Sequence, residues 1–270
     1  MLVSDYILLV ELGVAIVLNI FAVSVIVRSP FLQSSPNNKY LCCLFVSHVI
    51  AALVVSSITI TFYECPDHVW RTLVFVREFT TGMELSFTVL LSLERYVAIQ
   101  KPFVYCRLNV RHGVGATLAL VGVVVIFVVW LAVSVTGYAF GLFGTCSGCV
   151  FVTYSSYCSY RTIKGHCRRI SSMTVSTNAK DKNQHRVTLR KRQVKSLKIC
   201  SMIAITYLCS WVPLSIYTLV TYWQQTFYGN HFSNDLSNVF IMFGYTNSLM
   251  DAFIFFYVST EARKTIPFCG

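Results

Sequence analysis

Seven apolar runs, each long enough to cross a lipid bilayer as a helix, constrain this 270-residue chain more than any other feature. A hydrocarbon core about 30 Å thick needs about 20 mostly apolar residues per helical span. Charged residues make up only 12% of the sequence, whereas soluble domains carry roughly 25%. We therefore predict an all-α membrane protein that forms one domain over residues 1–270. The predicted spans are residues 6–27, 40–62, 73–99, 114–135, 140–160, 199–222 and 236–258.

The basic residues indicate which ends of these spans face the cytoplasm. Of the 22 Lys and Arg residues, all but Arg71 and Arg77 lie at or after the ends of spans one, three, five and seven. The positive-inside rule makes those segments cytoplasmic, including the long loop 165–195, and leaves the N-terminus outside. The net charge of +11 is then a topology signal, with attraction to anionic membrane lipids as a secondary effect. This placement of charge argues against nucleic-acid binding.

The third predicted span ends in the charged triplet Glu94-Arg95-Tyr96. Its context, "LERYVAIQKPFVY", resembles the E/DRYxAIxxPxxY signature of rhodopsin-like G-protein-coupled receptors. In the sixth span, "CSWVP" resembles the CWxP motif of the same receptors. The resemblance implies that Arg95 is held by Glu94 at rest and contacts a G protein when released. It also implies that Trp211 pivots near a kink at Pro213, because proline removes a helical hydrogen bond.

The seventh predicted span extends this resemblance. "NSLMDAFIFFYVSTEARKT" is similar, in register, to the pattern NSxxDPxIYxxxSxExRKT of melanocortin-like receptors. Asp251 stands at the Asn/Asp position of the NPxxY motif, while Ala252 and Phe255 replace its Pro and Tyr. "TEARKT" resembles the short amphipathic helix that follows along the membrane. The chain therefore resembles a divergent member of the melanocortin, adenosine, cannabinoid and lysophospholipid receptor branch.

Aligned with that family, His48 takes the place of the second-helix Asp that coordinates a sodium ion. Glu84 lies eleven residues before Arg95, about 16.5 Å along a helix, which is level with the same pocket. We therefore predict a cluster of His48, Glu84 and Asp251, in which acidic charge has moved from the second helix to the third. The alternative is a neutral His48 and a protonated Glu84, each merely hydrogen-bonded. The predicted polar core is completed by Asn19, Asn247 and Ser248.

Arg77 is the first candidate for a ligand contact. It lies seven residues before Glu84 and so shares a helix face with it. By the resemblance, this is the level at which aminergic receptors carry an amine-binding Asp. A basic group there argues against a monoamine and favours an anionic or lipid-like ligand, although an internal ion pair with Glu78 or Glu64 is the alternative. The remaining ligand candidates, by alignment, are Glu78, Thr81, Trp211, Ile241 and Tyr245.

The resemblance implies a plasma-membrane receptor that transmits an extracellular ligand signal to a heterotrimeric G protein by helix rearrangement. No metal-site spacing, nucleophile triad or phosphate loop occurs in the sequence, so we expect no enzyme, metal or cofactor. Two alternatives stay open. One is a receptor-like protein that no longer signals, suggested by His48, Ala252 and Phe255. The other is a seven-span transporter, although such proteins often show internal repeats and none is visible here.

Overall fold

The computed structural model describes residues 3–33, 36–61, 67–100, 198–214 and 234–264, together with isolated positions between them. Predicted span four and the loop 165–195 lie outside these residues, as does most of predicted span five. Every regular element within the described ranges is helical, as predicted. The helices are α1 (Val3–Arg28), α2 (Pro30–Gln33), α3 (Pro36–Thr61), α4 (Asp67–Gln100), α5 (Lys198–Leu214), α6 (Asn234–Val258) and α7 (Thr260–Lys264).

Three of these helices are long and apolar enough to cross a membrane: all of α1, Asn38–Ile60 of α3 and Val239–Val258 of α6. Helix α5 is apolar but shorter. Helix α4 has 34 residues, about 51 Å at 1.5 Å per residue, so it is longer than a hydrocarbon core is thick. Several charged side chains along α4 set it apart from its neighbours.

Helix α1 shows why these helices belong in lipid. Its inward residues Leu8 and Leu12 are buried, and its outward residues Val10 and Val17 are equally apolar but exposed. A helix that is apolar on all sides would expose hydrocarbon to water in a soluble protein, whereas lipid solvates it. The outward face of α1 is therefore a lipid-facing surface.

The helices pack around a common apolar core. Helix α3 packs against α1 and α4, and α1 also packs against α6. The largest buried cluster joins residues of α1, α3, α4, α5 and α6, together with Leu32 of α2 and Ala262 of α7. Within it, the rings of Phe45 and Phe255 meet edge to face with their centroids 5.6 Å apart. This core therefore joins the five long described helices.

Local signals set the ends of several helices. Helices α2 and α3 begin at Pro30 and Pro36, and proline suits the first helical position because its missing N–H would have no partner there. Helix α1 ends at Arg28, whose positive charge is favourable beside the terminal carbonyl groups. Between α6 and α7, the hydroxyl of Ser259 accepts a hydrogen bond from the N–H of Ala262 at 3.2 Å, which caps the short α7.

Candidate functional site

A cluster of buried polar side chains lies at the centre of the described bundle. Each residue of the predicted polar core is at most 2% exposed. The cluster draws on α1, α3, α4 and α6, so the fold brings together residues that are far apart in the sequence. Its members are Asn19, His48, Glu84, Asn247, Ser248 and Asp251.

The imidazole of His48 lies between two carboxylates from different helices. Its Nδ1 atom is 3.0 Å from Oε1 of Glu84, and its Nε2 atom is 3.2 Å from Oδ2 of Asp251. The second contact has hydrogen-bond geometry. The first does not, so it is an ion-pair contact whose oxygen lies off the N–H direction. Ionisable groups at membrane depth are costly unless they face an interior partner, and each of these three groups faces another.

Among the described residues, Asp251 has the most hydrogen-bond partners of the three ionisable groups in the cluster. Besides His48, its carboxylate faces the hydroxyl of Thr206 at 3.0 Å and the side-chain amide of Asn247 at 3.4 Å. Donors therefore approach both carboxylate oxygens, which stabilises a carboxylate in the absence of water. Through these contacts Asp251 connects α6 to α3 and to α5.

Thr206 contacts the cluster through Asp251, and the sequence did not predict this contact. Its hydroxyl also lies within hydrogen-bond distance of the carbonyl oxygens of Met202 and Ile203, at 3.1 and 2.9 Å. Threonines in membrane helices commonly bond to the preceding turn in this way. No sequence signal therefore distinguishes Thr206 from an ordinary helical threonine; only the approach of α6 gives it a carboxylate partner.

The side-chain amide of Asn19 joins α1 to α6. Its Nδ2 atom lies 2.7 Å from the carbonyl oxygen of Ala15. It also lies 3.1 Å from the carbonyl oxygen of Ser248 and 3.2 Å from its hydroxyl. Because these acceptors lie in two different helices, the amide fixes the position of α1 against α6.

A second polar contact between the same two helices involves Glu11. Its carboxylate accepts a hydrogen bond from the hydroxyl of Thr246 at 2.7 Å. The sequence offered a usable signal here, because a single acidic residue within an apolar run faces an interior partner more often than lipid. The predicted polar core did not include Glu11.

Glu94 and Arg95 lie near the C-terminal end of α4. The guanidinium of Arg95 contacts both carboxylate oxygens of Glu94, through Nε and Nη2, and both side chains are partly buried. A two-point contact of this kind is stronger than a bond between neutral groups. The following residue, Tyr96, is partly buried. The arrangement holds the Arg95 side chain against its own helix.

Trp211 of α5 lies within an aromatic group. It stacks on Tyr207 of the same helix with ring centroids 6.0 Å apart, and it meets Tyr245 of α6 edge to face, also at 6.0 Å. Pro213 follows two residues later and is partly buried. Trp211 is only 7% exposed, so a movement of its ring has to be accompanied by a movement of α5 relative to α6.

The structure describes most of the predicted ligand residues, and three of them lie close together: Trp211, Ile241 and Tyr245. Arg77 and Thr81 are partly buried on α4, whereas the side chain of Glu78 lies outside the described residues. Tyr245 is buried in an apolar cluster of α1, α3 and α6, and Ile241 packs against it. Within the described part of the chain, no group of three His, Cys, Asp or Glu residues has the geometry to hold a metal ion.

Comparison with known families adds to this geometry. Residues 169–267 match the family model described as serpentine type 7TM GPCR chemoreceptor Srw. The matched segment, a little over a third of the chain, includes α5, α6 and α7 and therefore Thr206, Trp211 and Asp251. No curated protein matched the chain.

The helical bundle, its apolar spans and this match together support the function of a G-protein-coupled receptor. The protein is a multi-pass membrane receptor and not an enzyme. The match supports the class of receptor, and it does not single out the melanocortin-like branch that the motifs of the third, sixth and seventh spans resemble.

Proposed function

We propose that this protein is a plasma-membrane chemoreceptor with its N-terminus outside, which binds a small extracellular ligand and activates a heterotrimeric G protein. The observation that carries the proposal is the Glu94–Arg95 pair at the end of α4, within the ERY-type motif. The family model is itself described as a chemoreceptor family. We further propose that the chain is a divergent rhodopsin-like receptor, as its motifs suggest.

The contacts of α5 support a mechanism of activation. Thr206 bonds to Asp251 of α6, and Trp211 packs on Tyr245 of the same helix. One neutral donor on a carboxylate contributes about 1.5–3 kcal/mol, and one aromatic contact contributes about 0.5–1.5 kcal/mol. These two contributions are small enough for the free energy of ligand binding to offset them, so α5 can move away from α6. Such a movement exposes the end of α4, where Arg95 can exchange Glu94 for a G protein.

The ligand is proposed to bind near Arg77 and Thr81 on α4. An arginine in this position favours a carboxylate, a phosphate or an anionic lipid, because a guanidinium binds such groups through paired hydrogen bonds. Trp211 and Tyr245 are proposed to respond to the bound ligand through their ring contact. Membrane lipids are the remaining proposed partners, through the exposed apolar side chains of α1, α3 and α6.

The proposal can be tested without knowing the ligand. Glu94→Gln removes the charge that holds Arg95, so we expect basal G-protein activation in transfected cells to rise about tenfold. Adding Arg95→Ala to that variant should abolish the increase at equal surface expression. Arg28→Ala, added instead, is the matched control and should leave the increase intact, because Arg28 lies at the end of α1.

Two outcomes would count against the proposal. Equal signalling by Glu94→Gln with and without Arg95→Ala would exclude Arg95 as the contact for the G protein. A Glu94→Gln variant that reaches the surface but produces no cyclic AMP or calcium response would favour the alternative of a receptor-like protein that does not signal.

A further inference from the structure

Three ionisable side chains from three helices meet where water has almost no access. His48 of α3 is 1% exposed, Glu84 of α4 is 2% exposed and Asp251 of α6 is fully buried. We call these residues the triad. Their separations of 3.0 and 3.2 Å place a carboxylate oxygen at each of the two ring nitrogens of His48.

The number of protons in the triad follows from this geometry. A neutral imidazole carries one N–H and one lone pair, whereas an imidazolium carries two N–H groups. With a carboxylate oxygen within 3.2 Å of each nitrogen, a neutral ring would leave its unprotonated, electron-rich nitrogen beside a carboxylate oxygen at one of its two contacts. That contact is repulsive unless a proton lies in it, on the nitrogen or on the oxygen. The geometry of the triad therefore favours a state that holds one more proton than a neutral imidazole and two ionised carboxylates hold together.

We propose that the triad is a proton-binding site that joins α3, α4 and α6 when the proton is bound and loosens their packing when the proton leaves. The ligand of this site is the proton itself. The proposal goes beyond G-protein coupling, because it concerns the stability of the bundle whether or not the receptor signals.

Within the part of the chain that the structure describes, the surroundings of the triad supply no other charge to balance it. Among the described residues, the charged groups that act on His48 are Glu84 of α4 and Asp251 of α6. Helix α5 contributes the neutral hydroxyl of Thr206, and α1 contributes the neutral amide of Asn19, which bonds to Ser248. With the extra proton the triad carries a net charge of −1, and without it −2. A second uncompensated negative charge is costly at this depth.

The sign of the pH effect follows from this charge. The proton is bound in the packed bundle, and its binding stabilises that state relative to states in which the three helices separate. The stabilisation is therefore present at low pH and lost as the pH rises and the proton leaves.

The test is the thermal stability of the purified full-length receptor between about pH 5 and about pH 8. We expect the Tm of the wild-type protein to fall by about 3–6 °C as the pH rises. Glu84→Gln keeps the shape of the side chain but removes one carboxylate, so a neutral His48 can donate to Asp251 and accept from the new amide. The Tm of this variant should not depend on the triad proton, so it should fall little as the pH rises.

Glu11→Gln is the matched control. It makes the same chemical change at a carboxylate that binds Thr246 and not His48, so it should keep the wild-type fall in Tm. Should Glu84→Gln fail to fold, Asp251→Asn removes the carboxylate at the other ring nitrogen of His48. The same loss of the pH effect on Tm is expected in that variant. A wild-type Tm that does not fall with rising pH would overturn the proposal, as would a full fall in the triad variants.

Discussion

The amide of Asn19 illustrates how much depends on one side chain inside a membrane. In lipid an unpaired polar group finds no water to bind, so each buried donor needs a protein partner. Asn19 reaches acceptors in α1 and α6 through a single nitrogen. The sequence analysis placed Asn19 in the predicted polar core but could not give the helix that its amide contacts. The partner of that amide, Ser248, was foreseeable only as a member of the same polar core.

Arg77 gives a prediction at the scale of a single residue. If it binds an anionic ligand, Arg77→Ala should weaken ligand potency about ten- to a hundredfold, the worth of a hydrogen bond to a charged group. Arg77→Lys keeps the charge but loses the paired hydrogen bonds of a guanidinium, so its ligand potency should lie between those of the wild type and Arg77→Ala. The measurement is a dose–response curve for an anionic agonist at matched surface expression. A loss of expression in Arg77→Ala, with unchanged potency in Arg77→Lys, would favour an internal ion pair.

The triad shows what a sequence can and cannot supply at this scale. Glu84 could be placed near His48 and Asp251 because helical rise fixes its height relative to Arg95, and the family alignment supplied the other two. The atoms that meet could not be predicted. The rotation of the helices against each other decides which ring nitrogen faces which carboxylate. It also decides that Thr206 contacts Asp251. The sequence pattern does not determine this rotation.

At the scale of helices, the apolar runs located most described elements but not their ends. Helix α4 begins at Asp67, six residues before the predicted span, because a search for apolar residues stops where the helix becomes polar. Helix α3 begins at Pro36, four residues before the predicted span, where a proline is favourable at the first position. Helix ends outside the hydrocarbon depend on capping and turn chemistry rather than on hydropathy.

Close packing of α5 against α6 gives a second prediction. A Cβ atom at Gly244 would lie 2.9 Å from Cδ2 of Leu214 and 3.9 Å from the ring of Trp211. Because the nearest atom is the end of a flexible side chain, we expect Gly244→Ala to be tolerated, within about 1 kcal/mol of wild type. Gly244→Leu should cost about 1–3 kcal/mol, because it separates the two helices. The measurement is the Tm of each purified variant.

Gly13 of α1 is the matched control for this experiment. A Cβ atom there would have no neighbour within 4 Å, so Gly13→Leu should be tolerated where Gly244→Leu is not. Equal losses of Tm in the two leucine variants would contradict the assignment of Gly244 to a helix contact. Altered basal signalling in Gly244→Leu alone would link this contact to the movement of α5.

For the whole molecule, buried polar contacts join the five long described helices. Asn19 joins α1 to α6, His48 joins α3 to α4 and α6, and Thr206 joins α5 to α6. Asp251 takes part in the contacts of both His48 and Thr206. A change in the position of α5 therefore reaches the triad through one shared carboxylate, so proton binding and receptor activation are expected to influence each other.

The orientation in the membrane is the last prediction, and it belongs to the whole chain. All but two of the 22 basic residues lie on the side of the loop 165–195, and such a bias directs those segments to the cytoplasm during insertion. In intact cells, an antibody should therefore detect an epitope placed before Met1 but not one inserted within residues 165–195. Permeabilisation should reveal the second epitope, and an epitope after Gly270 is the matched control for the inner side. Staining of the loop epitope in intact cells would reverse the topology, and it would place Arg95 on the side of the membrane where no G protein is present.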